Sequence, residues 1–104
     1  MTDSIDTNTD MELRVKNTTN VQHLATSIVK NIEEGRKVFM SCIGVQSISQ
    51  ATKSLAIANG KVAPTGYMLC CIPAFHHVLL DGENGEKEKK TIVRLLLRRI
   101  NMGD

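Results

Sequence analysis

The segment "YMLCCIPAFHHVLLDGENGEKEKKTIVRLLLRRI", Tyr67 to Ile100, holds two long apolar runs separated by a polar stretch that contains Asn84-Gly85. Asn-Gly supplies the positive-φ positions of a tight hairpin turn, so the segment reads as two antiparallel strands. A two-residue turn at that pair puts His76 opposite Val93, Ala74 opposite Leu95 and Ile72 opposite Leu97, an apolar face that belongs beneath helices. The other face then pairs Phe75 with Arg94, Pro73 with Leu96 and Cys71 with Arg98. Half apolar and half basic, that face suits a subunit or ligand contact better than a core, and Phe75, Arg94 and Leu96 are its expected dimer contacts. One feature opposes the register: Glu83 faces Glu86, a like-charge pair. Pro73 has no N–H to give a ladder, which a strand tolerates at an edge, so the first strand of the hairpin is expected at the rim of the sheet.

Upstream, "ELRVK" (Glu12 to Lys16) alternates polar and apolar residues as a short strand does. The polar loop "NTTN" ends in Asn20, a natural N-cap, and Val21, Leu24, Ala25, Ile28 and Ile32 then recur at helical spacing until Gly35. "KVFMSCI" (Lys37 to Ile43) reads as a second, largely buried strand. A second helix through "ISQATKSLAIAN" is expected, capped by Ser47 or Ser49 and closed by Gly60. Its many Ala and Ser residues would let another backbone approach it closely. "KVAPTG" is a turn. The order is β-α-β-α-β-β, an α/β two-layer sandwich with a four-stranded mixed sheet and both helices on one face.

A chain of 104 residues fits one domain. The N-terminal "MTDSIDTNTD" has neither a basic n-region nor an apolar run, so it is not a secretory signal. It reads instead as part of a disordered acidic tail, residues 1–11, ahead of a single domain over 12–104. No stretch approaches the roughly 20 apolar residues of a membrane span. Three cysteines without disulfide-framework spacing point to a reducing, cytoplasmic setting. Net charge is +2, but the tail carries Asp3, Asp6 and Asp10, so the remainder carries +5. Six bases (Lys87, Lys89, Lys90, Arg94, Arg98, Arg99) face one acid, Glu88, between residues 87 and 99. That asymmetry suits an anionic partner as well as it suits ordinary solvation.

"CCIPAFHH" (Cys70 to His77) invites a metal reading, which strand geometry opposes. Alternation sends Cys70 and Cys71 to opposite faces, and His76 and His77 likewise. Cys70 and His76 share a face but lie about 20 Å apart at roughly 3.3 Å per residue. Two ligands of one zinc must lie within about 4 Å, with bonds of about 2.0–2.3 Å. Neither a metal nor any other cofactor is expected, and the thiols read as small hydrophobes. No nucleophile elbow, P-loop or dinucleotide fingerprint is present. His23 has no orienting partner for a dyad with a strand cysteine and reads as an exposed helix residue. An enzyme, and with it a small-molecule substrate, is not expected.

The run "AIANGKVAPTGYMLCCIPAF", with "DGE" shortly after it, resembles the stage V sporulation protein S family. The pattern A-I-A-x-G-x-V-A-P-S/T-G followed by C-I-P-A-F is specific, and a looser likeness extends from about Leu13 to Ile100. That family looks like a branch of the Alba superfamily of small nucleic-acid-binding proteins. The resemblance implies the same β-α-β-α-β-β domain, a homodimer, and regulatory binding of DNA or RNA without catalysis. The matching positions are Lys16, Thr18 and Thr19 in the first loop, Lys53 on the second helix, and the hairpin lysines Lys87, Lys89 and Lys90. Three departures stand out: the first loop offers only Lys16 before "NTTN", Asn59 replaces the usual base before the glycine with Lys61 close behind, and the last hairpin is longer than the family usually shows. The alternative from another class is a protein-interaction regulator of the same fold with little nucleic-acid affinity. Convergence of the bases on one face would favour the first.

Overall fold

Helical and alternating periodicities sort the chain into the expected six elements in the computed structural model, which describes residues 10–102. They are β1 (Asp10–Val15), α1 (Val21–Glu33), β2 (Lys37–Cys42), α2 (Val45–Val62), β3 (Tyr67–Asp81) and β4 (Lys87–Asn101). Of the tail expected over residues 1–11, Asp10 and Met11 instead belong to β1, and residues 1–9 lie outside the described residues. Asn20 caps α1, its side chain accepting the His23 N–H at 2.9 Å, and Gly35 (φ 84°) turns the chain out of the helix.

The second helix departs from expectation at both ends. It starts after Gly44, and Ser47 turns its hydroxyl back onto the Gly44 carbonyl instead of capping a later start. It also runs through Gly60 to Val62 and stops only at a 3-10 turn, Ala63–Thr65, followed by Gly66 at φ 104°. A lone glycine weakens a helix by only about 1 kcal/mol, which packing of Ala58 and Val62 in the core offsets. Ser47, Ala51, Ser54 and Ala58 form a stripe that is wholly buried. The close approach read from these small residues is therefore made inside the molecule, and not to another subunit.

The sheet order is β1-β2-β4-β3, with β1 parallel to β2 and β4 antiparallel to both neighbours. Val15, Val38, Met40, Cys42, Tyr67, Leu69, Leu95 and Leu97 point to one face, where Leu24, Ala25, Ile28 and Ile32 of α1 and the α2 stripe cover them. Full burial of a side chain such as Ile28 contributes about 1.5–3 kcal/mol.

The hairpin register differs from the predicted one by a single residue. Asn84 (φ 66°) and Gly85 (φ 78°) do supply positive φ, but within a five-residue loop, Gly82 to Glu86, closed by a 2.6 Å Gly82 N–H bond to the Glu86 carbonyl. A Cβ at Gly82 would lie 2.8 Å from the Glu88 side chain, which would have to shift to admit it. Phe75 consequently faces Val93, Pro73 faces Leu95, and Cys71 faces Leu97. Arg94 is opposite Ala74, and Leu96 opposite Ile72. A one-residue slip exchanges the faces of one strand. The observed choice buries Tyr67 and Leu69, and it sets Lys87 against Asp81 in an ion pair where the shorter turn would have opposed two glutamates. Phe75 thus leaves the face shared by Arg94 and Leu96, and the expected dimer trio is split.

As expected from Pro73, β3 is an edge strand. Asn59 of α2 clamps that edge: its amide donates to the Leu69 carbonyl (3.0 Å) and accepts the Leu69 N–H (2.7 Å). The backbone of Leu69 therefore points outward, and by alternation so does the nitrogen of Pro73, where no ladder bond is lost. Replacing Asn59 by Ala removes both bonds and is expected to lower stability by about 1–3 kcal/mol, measured by urea unfolding.

Candidate nucleic-acid interface

Strands β1, β2 and β3 all run the same way, so their C-terminal ends lie together at one end of the sheet. Three predicted contact elements leave from that end: the loop after β1, the start of α2 after β2, and the hairpin. Pairing with β2 stops at Cys42–Val93, opposite Phe75. Beyond it the hairpin continues for six more residues to Asp81, an arm of about 20 Å at roughly 3.3 Å per residue. Both long helices begin at this end with no acid in the first turn. Their free N–H groups add positive potential there.

Lys16 and Thr18 are exposed in the first loop. Thr19 is spent on structure: its hydroxyl accepts the Lys16 N–H at 2.8 Å, and its carbonyl accepts Gln50 Nε2 at 2.7 Å. Gln50, which the sequence did not single out, ties the loop to α2 one turn before the exposed Lys53. Lys61 lies apart, about 12 Å further along the helix axis at 1.5 Å per residue, toward the opposite end of the sheet. On the arm, Lys87 pairs with Asp81, and Lys90 lies 3.7 Å from Glu88. Lys89, opposite Leu79, has no acid partner among the described residues. Four acids (Asp81, Glu83, Glu86, Glu88) outnumber these three lysines. Exposed pairs of this kind are worth about 0–1 kcal/mol, so each lysine can exchange its carboxylate for a phosphate.

The reactive-looking segment resolves as strand alternation requires. Cys71 packs against the core, and Cys70 sits across from Arg98 on the other face. His77 Nδ1 meets Thr91 Oγ1 at 2.9 Å, while His76 Nδ1 lies 3.4 Å from an Arg94 nitrogen on the opposite side. Among the described residues no group of three or more His, Cys, Asp or Glu could hold a metal ion. No helix among them is long and apolar enough to cross a membrane.

A parallel β1-β2 pair, a β4 inserted beside β3 and two helices on one face define the Alba-like fold. The solved structure of Alba from Thermoplasma volcanium superposes with a TM-score of 0.54 at 16% identity, covering 84% of this chain and 95% of that one. At that identity the likeness concerns the fold alone. The sequence profile of the stage V sporulation protein S (SpoVS) family matches residues 11–99, and the chain belongs to that family.

Burial raises the thiol of Cys42 above its ordinary value, an effect that a hydrogen bond with Ser47 only partly opposes and proximity to Cys71 reinforces. Burial likewise raises Cys71, with Cys70 adding to it. A raised thiol has less thiolate at any given pH. Iodoacetamide at pH 8, followed by peptide mass spectrometry, should therefore modify native Cys42 and Cys71 several-fold more slowly than the same thiols in urea. Rapid native labelling of either would expose an activated nucleophile.

Proposed function

We propose that this protein is a non-enzymatic regulator that binds DNA or RNA as a homodimer. The observation that carries the reading is the common origin of the first loop, the α2 start and the hairpin arm at one end of the sheet. Membership of a sporulation family and the Alba-like fold support it. Lys16, Thr18, Lys53 and Lys89 are the proposed phosphate contacts, with Lys87 and Lys90 joining once they leave their carboxylates. Thr19 acts through the loop it holds, and Lys61 is outside the primary contact. One aromatic residue in this region, Phe75, is too few for a base-stacking platform, so the binding is sequence-tolerant and carried by charge.

Gel shifts and salt titrations on duplex DNA, single-stranded DNA and RNA test this directly. Changing Lys16, Lys53 and Lys89 together to Ala should weaken binding at least tenfold and reduce the slope of log K against log salt by about 0.9 per lost duplex phosphate contact. Lys61→Ala should leave both nearly unchanged. Equal loss in the two proteins, or no loss in the triple variant, would remove the arm end from consideration.

The excess of acids on the arm favours the second reading, a protein-interaction regulator of the same fold. Absence of binding to all three nucleic acids at low salt would select it.

The proposed dimer uses the β3 edge and not the trio Phe75, Arg94 and Leu96 as one face. Phe75 is 79% exposed and Leu79 66% exposed on the same side of β3, and no residue of β3 before Asp81 is an acid, Lys or Arg that would repel a second copy. Light scattering at tens of micromolar should give twice the chain mass. Phe75→Glu with Leu79→Glu should reduce it to the monomer, and a monomeric parent would refute the dimer.

A further inference from the structure

The sheet face away from the helices carries a feature the nucleic-acid reading does not use. Alternation places Phe39 and Ser41 of β2, Ile92, Arg94 and Leu96 of β4, and Ile72, Ala74 and His76 of β3 on that face. Arg94 lies half-buried in its middle, stacked on Phe39 at 4.1 Å from the ring centroid. Among the described residues its guanidinium has no carboxylate within ion-pair distance, and its buried Nε has no hydrogen-bond partner. Its guanidinium lies 3.4 Å from His76 Nδ1, and its cross-strand neighbour Ser41 turns its hydroxyl to Glu12. The acid closest in register, Glu12, is two strands away with its carboxylate engaged by the Ser41 hydroxyl. A depression of about 230 Å³ opens at this point, walled by Phe39, Ile72, Ala74, Phe75 and Leu96, with Arg94 and His76 as its polar groups.

A partly desolvated cation without a counter-charge is costly, and a planar guanidinium fork matches a carboxylate. The apolar walls exclude a heavily hydrated anion and favour one attached to a hydrocarbon body. The volume falls below the roughly 300–1,000 Å³ of drug-sized sites, so the ligand is small. We infer that this depression is a binding site for a small aliphatic monocarboxylate, its carboxylate on Arg94 and its chain along Ile72, Ala74 and Leu96. The site uses none of the lysines proposed for phosphate contact, adjoins the β3 edge through Ala74 and Phe75, and involves no covalent step.

Hexanoate is the probe, with hexanamide as the neutral isostere and inorganic phosphate as the hydrated anion. Titrations are followed by the Arg94 Nε–H and Ala74 amide resonances of the full chain. Hexanoate should shift both saturably and bind at least tenfold more tightly than hexanamide or phosphate. Arg94→Gln should lose at least tenfold in hexanoate affinity. Ala74→Leu, an exposed edge-strand change that keeps the arginine and fills the depression, should lose a similar factor; it covers the case in which Arg94→Gln fails to fold. Equal binding of hexanamide or phosphate, shifts elsewhere only, or full affinity in folded Ala74→Leu would overturn the proposal.

Discussion

Insertion of β4 between β2 and β3 is the constraint on which the rest of the structure depends. β4 bonds to a neighbour on each side, and its Leu95 and Leu97 lie in the core beneath the helices. Because β4 is antiparallel, β3 is left running parallel to β1 and β2, and the C-terminal ends of those three strands fall on one side. The arm, the first loop and the helix N-termini are neighbours for that reason alone. A long apolar strand at the edge follows from the same order, and Asn59 and Pro73 moderate it: one occupies the backbone of Leu69, the other withholds a donor.

Electrostatics divides the molecule more finely than net charge implies. The arm carries one acid more than its lysines, and Asp81 and Glu88 hold two of its three lysines. Lys16 and Lys53 are exposed and have no acid partner among the described residues, so they lack that competition. At the opposite end Arg36 is held by Glu34, and Arg99 stacks on Tyr67 at 3.8 Å. The hydroxyl of that tyrosine meets Glu33 at 3.2 Å. Those two bases are thus engaged within the domain, whereas Lys37, Lys61 and Arg98 toward the same end have no acid partner among the described residues. Arg94 differs from all of these in being half-buried and without a counter-charge.

The element order was legible in the sequence because each periodicity is local: helical spacing from Val21 to Ile32, alternation in the strands, Asn20 as a cap and Gly35 as a stop. The edge position of β3 followed from one residue, Pro73. The family pattern from Ala56 to Phe75 was legible too, and it indicated which loops to inspect. By alternation, the same reading separated Cys70 from Cys71 and so argued against a metal site in that segment.

Tertiary structure decided what local signals leave degenerate. Asn84-Gly85 is compatible with a two-residue turn or a wider loop, and the choice rested on burying Tyr67 and Leu69 and on pairing Asp81 with Lys87. That choice alone moved Phe75 away from Arg94 and Leu96. Gly60 looked like a helix end because glycine is a poor helix former, yet core contacts made by Ala58 and Val62 carried the helix past it. Thr19, Gln50 and Asn59 acquired their roles through partners 10 to 31 residues distant, and no local window reports such pairs. Sequence by itself determined which segments form strands and helices, since backbone preference and side-chain period act over a few residues. Which faces those segments present, and which charges remain unpaired, was settled only by packing, because both depend on register between distant strands.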